Sequence, residues 1–237
     1  MVTSSSSSPS VNAGVFERPV TWVFRHWLLL LNILMGIYVI TPLTAPFLMV
    51  SGLTSQAQAV YTIYSTQCHQ LPERSYFLFG QSVMYSVGDI NAARGSTDVL
   101  TLRQFIGNPQ MGYKMAWSDR MISLYTSIWI GGLVYALLRR RFTAPSLILA
   151  AALLVPILLD GGTHAISDLQ GFGQGFRDTN DWLRTLTGGV LPSYFYAGDG
   201  LWSFNSLMRM WTGSLAGLIL AWSIFPRANL IFASYMR

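Results

Sequence analysis

The sequence contains a single cysteine, a single lysine and few charged residues of any kind. Cys68 has no second cysteine in the chain, which excludes an internal disulfide scaffold and redox chemistry by a cysteine pair. Only 11% of the 237 residues are charged, whereas 51% are hydrophobic. About a quarter of the residues of a soluble domain are charged, so this composition indicates a membrane protein.

Sequence motifs of the common enzyme classes are also absent. The patterns GxSxG, HExxH and CxxC and glycine-rich phosphate loops do not occur, which argues against the commonest hydrolases and nucleotide enzymes. The net charge of +5 comes from arginines and Lys114, which do not form a stripe with interleaved aromatic residues. We therefore expect no nucleic-acid partner. The sequence does not identify a cofactor.

Four largely uncharged stretches are long enough to cross a bilayer, which requires about 20 helical residues. They lie at about 27–50, 121–138, 142–159 and 203–226. Pro156 is predicted to kink or end the third helix. The predicted fold is all-α, an integral membrane helical bundle of four transmembrane helices with short interfacial helices in two long outer loops. Residues 1–14 are predicted to be a disordered tail and 15–237 a single membrane domain.

Charge sets the predicted orientation. Four spans place both chain ends on the side of the short loop between the second and third spans. That side carries one acid, Glu17, and seven arginines, at positions 18, 25, 139, 140, 141, 227 and 237. The positive-inside rule predicts a multi-pass protein of the cell inner membrane with both termini cytoplasmic. The loops 51–120 and 160–202 then lie on the outer face, and the apolar run 76–87 is too short to cross the bilayer as a helix.

One polar segment stands out in the second outer loop. Asp160, His164 and Asp168 recur every fourth residue, so a helix would place them on one face. This pattern suits a metal site or a histidine base oriented by a carboxylate, and these three residues are the catalytic candidates. The structural alternative is that Asp160 ends the third helix and His164 is solvated.

A second candidate group comes from the first outer loop and the start of the second span. Cys68 and His69 offer two metal ligands, or a nucleophile beside an imidazole, although adjacent side chains point apart on a strand. The alternative is a structural Cys68. The metal candidates are His69, Asp119 and His164, which the topology places on one side of the membrane.

Arginines supply the remaining candidates. Arg177 and Arg184 are suited to a phosphate, such as a lipid headgroup, although nearby acids such as Asp181 offer them a structural pairing. Arg209 lies within the fourth span, where a charge is costly, so it is predicted to face the bundle and to pair with Asp160 or Asp199.

The GxxxG pattern of Gly213 and Gly217 predicts close helix packing in the fourth span.

The chain resembles a family of uncharacterised polytopic membrane proteins, the domain of unknown function 2085. The residues that carry the resemblance are Cys68-His69-Gln70 with Pro72, Arg74 and Ser75, then Asp160-Gly161, then Arg177, Thr179, Asn180, Arg184, Thr187 and Gly188. The resemblance implies a polytopic membrane protein and adds Gln70, Arg74 and Asn180 to the candidate ligand-binding residues.

The chain departs from the family at one point. The family usually carries a CxRC-type pair, and 117–121 here contains no cysteine. If relatives bind a metal through Cys-His and that pair, this chain is expected not to bind it, or to use Asp119 and His164 instead.

Three functions remain open. The leading hypothesis is a binding or assembly protein whose outer polar cap holds a lipid headgroup, a metal or a partner subunit, and its expected partners are membrane lipid and another membrane protein. The second is a membrane-embedded enzyme that acts on an interfacial substrate through His164 with Asp160 or Asp168. The third is a transporter, which requires polar groups in the middle of the membrane.

Overall fold

The computed structural model of the protein describes residues 13–95, 99–171 and 173–234. Among them, four helices are long and apolar enough to cross a membrane, which confirms the predicted all-α bundle of four transmembrane helices. The elements follow in the order α1 Ala13–Val50, α2 Thr54–Ser65, β1 Ser75–Leu78, α3 Val87–Arg94, α4 Val99–Gln104, β2 Gly107–Asn108, β3 Gly112–Ser118, α5 Asp119–Leu138, α6 Leu147–Asp168, α7 Phe176–Thr179, α8 Asp181–Leu186, α9 Ser193–Tyr196 and α10 Phe204–Ser234.

The spanning helices expose apolar side chains outward. Leu137, Ile148 and Leu158 are each more than two thirds exposed. Apolar surface of this extent on several helices is stable only where lipid replaces water as the solvent. The four spans therefore form a bundle whose outer surface is covered by the bilayer. The first of them covers Thr21–Val50 of α1.

Helices α5 and α10 make the closest contact in the bundle, as the GxxxG pattern predicted. A Cβ added at Gly213 would lie 2.3 Å from Ser123 Oγ, and one at Gly217 would lie 2.3 Å from the carbonyl oxygen of Leu124. The absence of side chains at these two positions lets the helix backbones approach directly.

The third span differs from its predicted bounds. It was predicted at 142–159, but α6 begins at Leu147, where Ser146 accepts a hydrogen bond from the Leu149 amide, and it continues through Pro156 to Asp168. The helix does not end at Pro156, so this part of the prediction is wrong. Beyond Leu159, Asp160 and His164 are buried and contact arginines of the bundle.

The long loop 51–118 folds into a small cap that contains a three-stranded antiparallel sheet in the order β1-β3-β2. The sequence had indicated only short helices there. Phe77 of β1 pairs with Lys114 of β3, and its ring is 1% exposed in an apolar cluster with Tyr85, Ile90, Leu102, Phe105 and Met111. The apolar run 76–87 therefore contributes Phe77 to the core of the cap.

The central strand of the cap joins a span without a linker, because β3 ends at Ser118 and α5 begins at Asp119. Trp117, the penultimate residue of β3, is fully buried and stacks on Tyr125 of α5 at 5.0 Å. Its ring also lies edge-on to Tyr38 of α1. One aromatic cluster thus connects the sheet to two membrane helices.

Of the predicted disordered tail 1–14, residues 1–12 lie outside the described residues, and α1 begins at Ala13.

Candidate functional site

A cluster of buried charges lies at the end of the bundle that faces the two long loops. We call it the charge cluster; it contains equal numbers of arginines and aspartates, namely Arg74, Arg120, Arg177, Arg209, Asp119, Asp160, Asp168 and Asp199. The equal numbers matter because burying an unpaired charge is far more costly than burying a hydrogen-bonded pair. The topology alone predicted that the two loops would share this end of the bundle, and the cluster joins them.

Arg209 lies at the centre of the charge cluster and is 2% exposed. Its Nε donates to both carboxylate oxygens of Asp119, at 2.8 and 2.9 Å, and its Nη1 donates to Asp199. The prediction that this arginine faces the bundle and pairs with a carboxylate is confirmed for Asp199. It is wrong for Asp160, which bonds to other arginines, and Asp119 takes its place.

Arg74 connects the first loop to the second loop and to α6. Its Nη1 and Nη2 donate to the two oxygens of Asp168, at 2.9 and 2.6 Å, while its Nε donates to Asp199 at 2.9 Å. Burial disfavours the charged form of Asp199, but Arg209 and Arg74 outweigh this effect and hold its pKa below the ordinary value. Asp199 is therefore the carboxylate that links the two arginines.

Asp160 completes the charge cluster from α6. Arg120 Nη2 donates to it at 2.7 Å, Arg177 Nη2 at 2.8 Å and the Thr212 hydroxyl at 3.2 Å. The sequence had suggested Asp181 as the partner of Arg177, but Asp181 accepts from the Thr179 hydroxyl instead. The residue that pairs with Arg177 lies 17 positions earlier, in the preceding span.

The three catalytic candidates share one helix face, since Asp160, His164 and Asp168 all lie in α6. They do not form a histidine-carboxylate pair among the described hydrogen bonds, because both carboxylates bind arginines. His164 is 2% exposed rather than solvated, and its Nε2 lies 3.2 Å from Arg209 Nη1. A guanidinium only donates, so Nε2 accepts and the proton of the neutral ring is on Nδ1.

Cys68, His69 and Gln70 line a small cleft beside Arg74 and Arg209. Cys68 is buried, its thiol accepts from the Gln70 amide at 3.3 Å, and it lies 3.5 Å from Ser118 Oγ. Gln70 is buried with a positive φ and donates to two backbone carbonyl groups. His69 is exposed at the cleft.

The described residues contain no group of three or more His, Cys, Asp or Glu side chains arranged to hold a metal. Of the metal candidates, Asp119 and His164 both contact Arg209, whereas His69 lies at the surface. A cation at this position would compete with a guanidinium that already occupies the Asp119 carboxylate.

The two arginines proposed from sequence for phosphate binding lie in different environments. Arg184 is exposed and packs over the Tyr196 ring at 5.1 Å. Arg177 is buried, and between the two the chain turns at Asn180, which has a left-handed φ of 46°. The Asn180 side chain is fully buried and donates to the carbonyl oxygens of Arg177 and Tyr196, which explains a polar residue at this point.

Arg177 lines a pocket of about 740 Å³, within the usual range of ligand sites. We call it the Arg177 pocket; its walls are formed by Thr163, Gln170, Gln174, Gly175, Phe176, Arg177, Thr179, Asp181 and Trp182. It opens where α6 ends, a position that the length of α6 places near the membrane surface. The 22 residues of α6 extend about 33 Å, close to the thickness of the hydrocarbon layer.

Residues 109–197 match the family model described as "Predicted membrane protein (DUF2085)". The chain is similar to this family. An uncharacterized protein of Methanocaldococcus jannaschii is 25% identical over 171 residues, which are 69% of this chain and 84% of the relative. No solved structure matches the chain.

The match confirms the resemblance predicted from the sequence and identifies which part of the site it covers. Asp160 and its two arginines lie within residues 109–197, as does the whole Arg177 pocket. The Cys68-His69-Gln70 block, Arg74 and Arg209 lie outside this range. The matched segment therefore contains the Arg177 pocket but only part of the charge cluster.

Sequence reasoning missed two buried ionisable residues of the cap. Glu73 is 1% exposed and neither carboxylate oxygen has a hydrogen-bond partner among the described residues. Burial raises its pKa to about 7, against the opposing effect of Arg74. Lys114 is fully buried, and burial lowers its pKa to about 7 although Glu73 acts in the other direction. The only signal in the sequence was that Lys114 is the single lysine.

Proposed function

We propose that this four-span membrane protein is a lipid-binding protein whose Arg177 pocket holds a phospholipid headgroup. The observation that carries the proposal is the state of Arg177. Its side chain is 9% exposed and Asp160 occupies Nη2, but Nη1 makes only a 3.3 Å bond to Thr163 and Nε has no partner among the described residues. Nε is buried, but Nη1 keeps donor capacity at the pocket wall, and a guanidinium is suited to a phosphate oxygen.

The remaining walls favour a lipid over a free phosphate. Trp182 is 48% exposed and Phe176 is 39% exposed, so two aromatic rings border the pocket at the level of the membrane interface. Aromatic side chains are enriched at that level because they contact both acyl chains and headgroups. A soluble phosphate gains nothing from such a border.

Asp181 narrows the headgroup class. Its exposed carboxylate lines the same pocket, so a purely anionic headgroup meets repulsion on this wall. A zwitterionic headgroup places its phosphate on Arg177 and its ammonium beside Asp181, where the Trp182 ring also attracts a cation. We therefore assign a phosphoethanolamine-type or phosphocholine-type headgroup.

We propose that both termini are cytoplasmic and that the cap and the Arg177 pocket face outward, in the inner membrane, which the arginine triplet 139–141 supports. Cysteine introduced at the exposed Gln81 of a Cys68→Ser chain should react with an impermeant maleimide added to intact cells. Labelling that occurs only after the cells are lysed would show the opposite orientation.

Lipid selectivity tests the proposal. Purified protein is titrated with vesicles of phosphatidylethanolamine, of phosphatidylglycerol, and with inorganic phosphate. We expect the protein to bind phosphatidylethanolamine in preference to phosphatidylglycerol and inorganic phosphate. The Gln174→Glu variant adds a negative charge to an exposed pocket wall and should weaken binding roughly threefold or more, whereas Gln81→Glu makes the same change outside the pocket and should have no effect.

The Asp181→Asn variant tests the contact with the ammonium group separately from the contact with the phosphate. It should remove the preference for phosphatidylethanolamine while phosphatidylglycerol binding stays or improves. Equal binding of all three ligands, or equal effects of Gln174→Glu and Gln81→Glu, contradicts a headgroup site in the Arg177 pocket.

A role for His164 as a general base has less support. Its accepting nitrogen already faces Arg209, and the carboxylates of Asp160 and Asp168 bind arginines.

A further inference from the structure

A second cavity, in the cap rather than in the membrane bundle, contains the single lysine of the chain. It has a volume of about 390 Å³, and its walls come from α2, α4, β3 and the residues beside them. Lys114 and Arg103 both line it, together with Gln58 and Gln104. None of these residues belongs to the Arg177 pocket or to the charge cluster.

The cation in this cavity has no carboxylate partner among the described ion pairs. Lys114 is fully buried, and its Nζ donates to the carbonyl oxygens of Gln70 and Arg103, at 2.6 and 2.9 Å. An ammonium group has three protons, so two neutral acceptors leave one donor and the whole charge uncompensated. Lysine is almost never fully buried without a paired charge.

A second positive charge increases the imbalance. Arg103 is half-buried, and its Nη2 donates to a neutral acceptor, the Ser65 carbonyl oxygen, at 2.6 Å. Glu73 is the acid within electrostatic range of Lys114, but it makes no described hydrogen bond. Among the described residues, the cavity therefore combines two cations with three side-chain amides, those of Gln58, Gln70 and Gln104, and no bound carboxylate.

We infer that this cavity binds a small soluble oxyanion, a carboxylate or a phosphate, which Arg103 contacts and the buried charge of Lys114 attracts. The cap elements that form the walls are not spans, so the ligand comes from the aqueous side and not from the bilayer. Gln58 and Gln104 are exposed at the cavity and supply neutral donors to the oxyanion. The inference is independent of the proposed lipid function, because the two pockets share no residue.

Binding should be coupled to proton uptake. The ionisable groups that act on Lys114 are Glu73, Cys68, Arg94 and Arg103, and burial together with them sets its pKa at about 7. Lys114 is then about nine-tenths neutral at pH 8 and about nine-tenths charged at pH 6. An anion favours the charged form, so its affinity should rise by up to about tenfold between pH 8 and pH 6.

The experiment is isothermal titration of the purified full chain with sulfate and with succinate, neither of which changes its charge near pH 8. Titrations at pH 8 in two buffers of different ionisation enthalpy measure the protons taken up. We expect saturable binding of at least one of the two anions with uptake of up to one proton. Arg103→Gln should weaken binding by about tenfold or more, because a charge-assisted hydrogen bond is lost.

Matched variants keep the result decisive. Gln104→Glu places a carboxylate at the exposed edge of the cavity and should abolish anion binding without disturbing a buried residue. Arg184→Gln and Gln81→Glu make the same chemical changes elsewhere and should bind normally. Absence of saturable binding, binding without proton uptake, or binding that Gln174→Glu weakens but Arg103→Gln does not, overturns the assignment. The last outcome would place the anion in the Arg177 pocket.

Discussion

Replacing Arg209 by methionine tests whether the charge cluster stabilises the bundle. Methionine keeps much of the length of the side chain but removes all five donors. The change deprives Asp119 of the bonds from Nε, at 2.8 and 2.9 Å, and Asp199 of the bond from Nη1. Asp199 retains Arg74, whereas Asp119 retains only the Arg120 amide among the described donors to its carboxylate. One buried carboxylate is therefore left without a cation.

The expected cost follows from the burial. Removing one partner of a buried ion pair typically costs about 3–5 kcal/mol, because an uncompensated charge remains. Arg209 is 2% exposed and Asp119 is 1% exposed, so solvent does not screen the loss. Against a total stability of about 5–15 kcal/mol, the Arg209→Met variant should lose a large fraction of its free energy of unfolding.

The assay is equilibrium unfolding in mixed micelles of increasing SDS content, followed by the fluorescence of the eight tryptophans. Arg184→Met is the control, since this exposed arginine belongs to no described ion pair, and it should change the free energy of unfolding by less than about 0.5 kcal/mol. A chain that also carries Asp119→Asn and Asp199→Asn should recover at least half of the loss. If the free energy of unfolding of the Arg209→Met variant lies within about 1 kcal/mol of that of the unaltered chain, the charge cluster does not stabilise the bundle.

Two further predictions concern the cap and the helix interface. Because burial raises the pKa of Glu73 from 4.5 to about 7, the folded chain binds this proton more tightly than the unfolded chain, and stability should fall by roughly 3 kcal/mol as the pH rises through that interval. Glu73→Gln should abolish this part of the pH dependence in unfolding titrations at pH 5 and pH 8, and an unchanged profile contradicts the burial argument. Gly217→Ala should destabilise the chain by about 1–3 kcal/mol, since its Cβ meets backbone at 2.3 Å. Gly162→Ala, also in a span but with open space at the Cβ, should be neutral or stabilising in the same assay, and equal effects of the two variants contradict the packing model.

The membrane architecture could be predicted because its signals are local. An uncharged run long enough to cross a bilayer is visible in about 20 consecutive residues. The i, i+4 spacing of Asp160, His164 and Asp168 correctly placed them on one helix face, and the cost of Arg209 inside a span correctly required a carboxylate. Each of these inferences needs only a short window of sequence and one physical rule.

The partners could not be predicted because they are distant in sequence. Arg74 pairs with Asp168 across 94 positions and Arg209 with Asp119 across 90, and neither pair has a local signal. The sheet was missed for a related reason, since β1 has four residues and its partner strand lies more than 30 positions away. The end of the third span was misplaced because polarity was taken as exposure, whereas Asp160 and His164 are polar and buried.

The direct passage from Ser118 to Asp119 has a mechanical consequence. A helix whose apolar length differs from the local bilayer thickness tilts to compensate. Because the middle strand of the cap and the second span share one uninterrupted backbone, with Trp117 wedged at their junction, such a tilt must tip the whole sheet or break the aromatic contacts at its base. A change in the tilt of this span is thus transmitted directly to the cap.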